Sequence, residues 1–143
     1  MLAGITGWIE ERHRAHAYAA PLLAGFGIVT AFVYVTLVDP NAQGNYPTCP
    51  WLLVTGWYCP GCGFLRMVHA LGHAQFGAAF GLNQLAFVMV PVLLYAWGRW
   101  LVRGIRGRPR ETVLHPAFIW AFLVVLIGFW ILRNLPAGAA FAP

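Results

Sequence analysis

All three cysteines of this chain, and two of its five histidines, fall between positions 49 and 73. Cys59-Pro60-Gly61-Cys62 is a C-x-x-C pair, and Cys49 precedes it by ten residues. Such a pair supports three chemistries. Its two turns can aim both sulfurs at one metal ion, and the Cys-Pro-x-Cys-Gly form is common in metal knuckles. It can cycle between dithiol and disulfide when a following helix N-terminus favours the thiolate. It can also lie in structural disulfides, which an oxidising compartment permits. The spacing leaves all three open.

The residues after the pair add to it. Cys62, Arg66, His69 and His73 recur at i, i+4, i+7 and i+11, so an unbroken helix would line them on one face. Phe64, Leu65, Val68 and Leu71 fall elsewhere around that helix and suit lipid or core. A thiol, a guanidinium and two imidazoles on one stripe of a greasy protein is a functional candidate, since polar groups at membrane depth are costly. The plainer reading is an interfacial helix whose polar stripe faces water. As a metal site, Cys49, Cys59, Cys62 and His69 form a Cys₃His set whose donor types suit tetrahedral zinc. As a redox site, Cys59 would attack, Cys62 would resolve and Cys49 would exchange, with Arg66 favouring the thiolate. Arg66 could also meet an anion or a lipid headgroup in either case. Other chemistries are missing from the sequence: there is no P-loop and no H-E-x-x-H, and no Ser to act as a nucleophile.

The elements that must hold these residues are apolar. Of 143 residues, 60% are hydrophobic and 9% charged, against about 25% charged in a soluble domain. The net charge is +5, and every basic residue other than His is Arg. These arginines flank apolar runs rather than forming a stripe of their own, which reads as membrane-flanking charge and not as nucleic-acid binding. The fold class expected is all-α: an integral membrane protein with three transmembrane helices, plus a short interfacial or re-entrant helix after the Cys-Pro-Gly-Cys motif.

The chain is expected to form one membrane domain. Residues 1–17 form a polar tail with Glu10, Glu11, Arg12 and Arg14, and 18–38 are a first span closed by Asp39-Pro40. Residues 39–84 hold the cysteine segment, with a short helix over 63–71 stopped by Gly72 and Asn83 as N-cap of the next span. That second span covers 85–102, with Pro91 tolerated inside it. A basic loop of Arg103, Arg106, Arg108 and Arg110 occupies 103–111, a third span 112–132, and a loose tail 133–143. At about 1.5 Å per residue each span can cross about 30 Å of hydrocarbon. The positive-inside rule places the basic loop and the N-terminus in the cytoplasm and the cysteine segment outside. Arg133, beyond the third span, conflicts mildly with that orientation.

The cysteine segment resembles a bacterial family of small membrane proteins known only as a domain of unknown function (DUF2752). The residues that carry the resemblance are Tyr58-Cys59-Pro60-Gly61-Cys62-Gly63, then Arg66, His69-Ala70-Leu71 and Asn83. Asp39-Pro40, Asn45-Tyr46-Pro47-Thr48-Cys49-Pro50 and Arg133-Asn134-Leu135-Pro136 extend it on both sides. Gln84 stands where the family has Pro, and Phe64-Leu65 stand where a Thr is frequent. The resemblance implies a multi-pass protein of the bacterial cytoplasmic membrane and marks the cysteine segment as its site. It implies no activity.

The reading expected from the residues is a non-enzymatic membrane protein built around a structural metal or disulfide site, serving as a scaffold or assembly partner. Its partners would be the lipid bilayer and a membrane protein or a second copy, with no nucleic acid; its cofactor, if any, would be zinc. A membrane thiol–disulfide oxidoreductase using Cys59 and Cys62 is the alternative. A small carrier or channel lined by Arg66 and the histidines is a third class, for which three spans are few.

Overall fold

The computed structural model describes residues 18–42, 44–108 and 116–142. The expected polar tail with Glu10, Glu11, Arg12 and Arg14 lies outside the described residues, as do Arg110 and His115 of the basic loop and third span. Every regular element among the described residues is helical. In chain order these are α1 (Ala19–Leu37), α2 (Pro50–Thr55), α3 (Phe64–Gly72), α4 (Phe76–Leu82), α5 (Gln84–Ile105), α6 (Pro116–Leu132) and a 3₁₀ helix over Pro136–Phe141.

Two of these helices, α1 and α5, are long and apolar enough to cross a membrane, with mean hydropathies of 1.9 and 1.7. A core helix of a soluble protein would pass the same test but would be covered. Here only 17% of the α1 stretch and none of the α5 stretch is buried, leaving side chains such as Phe26, Leu37, Leu93 and Tyr95 bare. Patches of that kind point to an apolar surrounding. The helix expected as a third span is α6, whose 17 described residues make it the shorter one. The fold is therefore all-α with two membrane-length helices and one shorter apolar helix, against the three full spans expected.

The chain divides into two compact units, residues 1–30 with 91–112 and residues 31–90 with 113–143. In the first, the Trp97 indole N–H donates to the Pro21 carbonyl at 3.0 Å. Its ring lies so close over Gly25 that a Cβ there would stand 2.5 Å from Cζ2. Small residues permit such approaches between membrane helices.

The second unit holds the cysteine segment. Its core is small: Met67, Ala70 and Ala79 are buried where α3 meets α4, with Val68, Leu71, Leu82, Ala86, Phe87 and Val90 packed around them. Asn83 is the expected cap, its Oδ1 accepting from the Ala86 N–H at 3.0 Å. The tail expected to be loose is the 3₁₀ helix instead, tied back where Gln84 Nε2 donates to the Ala140 carbonyl at 3.2 Å.

The end of α3 differs from the expectation in an informative way. The helix does stop after Gly72, but the left-handed residue is Ala74, with φ 56°. Gln75 N–H donates to the Ala70 carbonyl at 2.9 Å and Ala74 N–H to the Leu71 carbonyl at 3.0 Å. This is the double hydrogen bond of a Schellman motif, in which the left-handed position is usually Gly. Gly72 serves close packing. A Cβ on it would lie 2.7 Å from Thr36 Cγ2 and nearer still to Thr36 Oγ1, so α3 rests directly on the C-terminal end of α1.

Two substitutions separate these roles. Ala74→Gly is expected to stabilise the protein by about 0.5–1 kcal/mol, because Ala carries a left-handed penalty that Gly lacks. Gly72→Ala is expected to destabilise it by about 1–3 kcal/mol through overpacking, with Thr36→Ala partly rescuing. Thermal unfolding in detergent, followed by tryptophan fluorescence, reads both.

Candidate functional site

The sulfurs of Cys49, Cys59 and Cys62 converge, all within 4.8 Å of one another. Cys59 and Cys62 stand 3.1 Å apart and Cys49 and Cys59 3.5 Å apart. Local structure explains the convergence. Pro50 has no N–H to lose at the first turn of α2, so Cys49 sits at the cap of that helix. The Cys59–Cys62 turn closes through the Cys62 N–H to the Cys59 carbonyl at 3.1 Å, and the Cys59 N–H faces the Cys62 sulfur at 3.2 Å. Gly63, at φ 82°, then turns the chain into α3.

That left-handed glycine also breaks the expected stripe. Cys62 lies outside the helix and faces the other thiols, while Arg66 and His69 ride on α3 and His73 caps it. His69 is correspondingly not beside the sulfurs. Its Nδ1 donates to the Val35 carbonyl at 2.8 Å, and its Nε2 stands 3.9 Å from Asp39 Oδ1. His73 stacks against it, ring centroids 4.4 Å apart. Arg66 is half-buried, with no hydrogen-bond or ion-pair partner among the described residues.

The cysteine loop is held by three residues distant in sequence. Arg133 is 2% exposed. It donates through Nη1 to the carbonyls of Cys59 at 3.0 Å and Pro60 at 3.2 Å, and through Nη2 to that of Cys62 at 3.3 Å. Asn83, fully buried, donates to the Pro60 and Cys62 carbonyls at 2.9 and 3.1 Å. Asn134 pairs with both backbone groups of Tyr58, accepting its N–H at 2.8 Å and donating to its carbonyl at 3.0 Å. The guanidinium also lies 4.9 Å from the Phe129 ring centre and 6.0 Å from that of Tyr58. From sequence, Arg133 enters only as a topological misfit and as part of the Arg133-Asn134-Leu135-Pro136 run that carries the resemblance. The signal available was its chemistry: a charge at the end of a wholly apolar helix is seldom idle.

The three thiols are not equivalent. The Leu52 amide, in the first turn of α2, faces the Cys49 sulfur and draws its thiol below the ordinary value. Burial, reinforced by the Cys59 thiol, pushes Cys62 up to about 12. Burial also lowers the Arg133 pKa, while the neighbouring thiols act to keep it charged.

These differences can be read in the metal-free protein. With the thiols alkylated across a pH series and the peptides weighed, Cys49 is expected to react below the ordinary thiol range and Cys62 only in strong alkali. The same shifts set the sign of the stability change. Cys62 keeps its proton in the fold where the unfolded chain has lost it, so its contribution fades as pH rises toward 12; that of Cys49 fades as pH falls through its lowered value. Arg133→Met removes three charge-assisted donors. It is expected to cost at least about 2 kcal/mol, read by thermal unfolding in detergent.

Known proteins add one finding. No curated protein and no solved structure matches the chain. Residues 49–97, which carry the three thiols, α3, the Asn83 cap and the start of α5, match the family described as Protein of unknown function (DUF2752).

Proposed function

We propose that this is a non-enzymatic, multi-pass protein of the bacterial cytoplasmic membrane in which Cys49, Cys59 and Cys62 hold a zinc-type ion. The observation that carries the reading is Arg133. It is a buried cation that meets no carboxylate among the described residues, and the ionisable groups beside it are the Cys62 and Cys59 thiols and the Tyr58 phenol. Three thiolates and a divalent ion sum to one negative charge, which the guanidinium offsets. Sulfurs of a tetrahedral zinc site at about 2.3 Å from the metal lie about 3.8 Å apart; here two sulfur pairs stand at 3.1 and 3.5 Å and all three sulfurs lie within 4.8 Å of one another, so a small opening of the cluster admits the ion.

With His69 engaged at Val35 and Asp39, the Cys₃His set reduces to three thiolates from this chain. The fourth position then falls to water, a thiol or a side chain from a partner. That suits a scaffold or assembly role, with a second copy or another membrane protein as partner. In this reading α6 completes a third span, the N-terminus and basic loop lie inside, and the cysteine segment lies outside. Arg66 on α3 would then reach lipid headgroups.

The closest sulfur pair, Cys59 and Cys62 at 3.1 Å, favours a second reading as a thiol–disulfide oxidoreductase. There the two thiols would give two electrons and two protons to a disulfide substrate, becoming a disulfide as the substrate becomes two thiols.

Native mass spectrometry of detergent-solubilised protein, purified reduced and without chelator, separates the two. One zinc per chain that survives repeated dilution into metal-free buffer, and that is lost in Cys59→Ser and Cys62→Ser, is the expected result. Metal-free protein that oxidises to a Cys59–Cys62 disulfide and reduces a disulfide substrate would replace it with the redox reading.

A further inference from the structure

The two histidines of α3 and its cap, set apart from the thiols, form a cluster of their own. His69 Nδ1 lies 2.8 Å from the carbonyl of Val35, and His73 Nδ1 lies 2.9 Å from the carbonyl of His69. A carbonyl can only accept, so each Nδ1 carries a hydrogen. In the neutral imidazole that leaves Nε2 as a bare lone pair. Both rings are thus fixed in the same tautomer by backbone oxygens. Hydrogen bonds of this kind are what orient metal-ligating histidines.

The oxygens that do this are available for a structural reason. Val35 lies in the last turn of α1, where carbonyls lack intrahelical partners. His69 is at i−4 from His73, so the two rings share a face of α3 and its cap, 4.4 Å apart between centroids. Asp39, just past α1, presents Oδ1 3.9 Å from His69 Nε2. Its carboxylate is held by the Asn41 N–H and Asn41 Nδ2, each at 2.8 Å from that oxygen. The Asn41 backbone N–H is also the main cause that draws the Asp39 pKa below its ordinary value. His73 and Asp39 are both exposed.

We infer that His69, His73 and Asp39 form a second metal site, taking a borderline divalent cation such as Zn²⁺, Co²⁺ or Ni²⁺ through two imidazole nitrogens and one carboxylate oxygen. Imidazole and carboxylate donors suit these ions. His69 Nε2 and Asp39 Oδ1 stand 3.9 Å apart and the two rings 4.4 Å apart between centroids, so the three donors must close on an ion for all of them to bond it. The site is looser than the thiolate cluster and exchanges its metal more readily. It shares no donor with Cys49, Cys59 or Cys62.

Cobalt titration of the full chain in detergent, under reducing conditions, tests this. Cobalt bound to thiolates shows intense charge-transfer absorption in the near ultraviolet, while a nitrogen–oxygen site shows only weak visible bands. Two phases are expected in the wild type. The second, without charge transfer, is expected to weaken at least about tenfold in His73→Gln, since losing even a group that only supports a ligand costs about 10–100-fold. His73 is exposed, so this variant keeps its fold. Asp39→Asn is expected to weaken the same phase, as is acid, because protons compete for the same nitrogens. A wild type with no phase free of charge transfer, or a His73→Gln chain that binds like the wild type, overturns the inference. Failure of the cysteine reading looks different: the charge-transfer phase is absent while the second phase persists.

Discussion

The second unit depends on satisfying the carbonyls of one turn. Residues 58–62 fold tightly to bring Cys59 and Cys62 together, which turns their backbone oxygens away from water. Buried acceptors of this kind need partners. Arg133 supplies donors to three of them and Asn83 to two, while Asn134 takes both backbone groups of Tyr58. Without these side chains the turn would open toward solvent and the sulfurs would separate. A helix end more than seventy residues away in sequence thereby sets the geometry of the C-x-x-C pair.

The same arrangement decides the electrostatics. Arg133 is 2% exposed, and a buried guanidinium is costly unless something negative stands near it. The thiols are the groups placed to provide that charge. Cys62 alone would hold its proton, since burial raises its pKa. A cation among the sulfurs would reverse that, because a coordinating thiol is deprotonated outright. Arg133 and a divalent ion held there would therefore support each other: one would offset the thiolates' excess charge and the other would make them thiolates.

The apolar exterior explains why so few residues are buried. Met67, Ala70 and Ala79 are a thin core for a chain this size in water. In lipid, hydrocarbon would cover the outer faces of α1 and α5, and the helices would need contact only where backbones approach closely. Gly25 beneath Trp97 and Gly72 against Thr36 are two such places. Polar side chains concentrate where α1 ends and where the cysteine turn lies, and both candidate sites occur there.

Much was legible in the residues alone. An uncharged run such as 19–37 can satisfy its backbone only as a helix in an apolar setting, so composition and length point to α1 and α5 directly. Asn83 as a cap and the C-x-x-C turn follow from local chemistry. The partners of that turn did not, because Arg133 and Asn134 act on it across more than seventy residues, and no periodicity carries such a contact. The stripe failed for a local reason with a distant result: Gly63 adopts φ 82°, which frees Cys62 from the helix. Once freed, Cys62 joins Cys49, while His69 turns to the end of α1. Residue types and spacing thus determined which groups can bind a cation. Tertiary structure decided that they divide into two sets, because Cys62 turns to Cys59 and Cys49 while His69 is held by the Val35 carbonyl near Asp39.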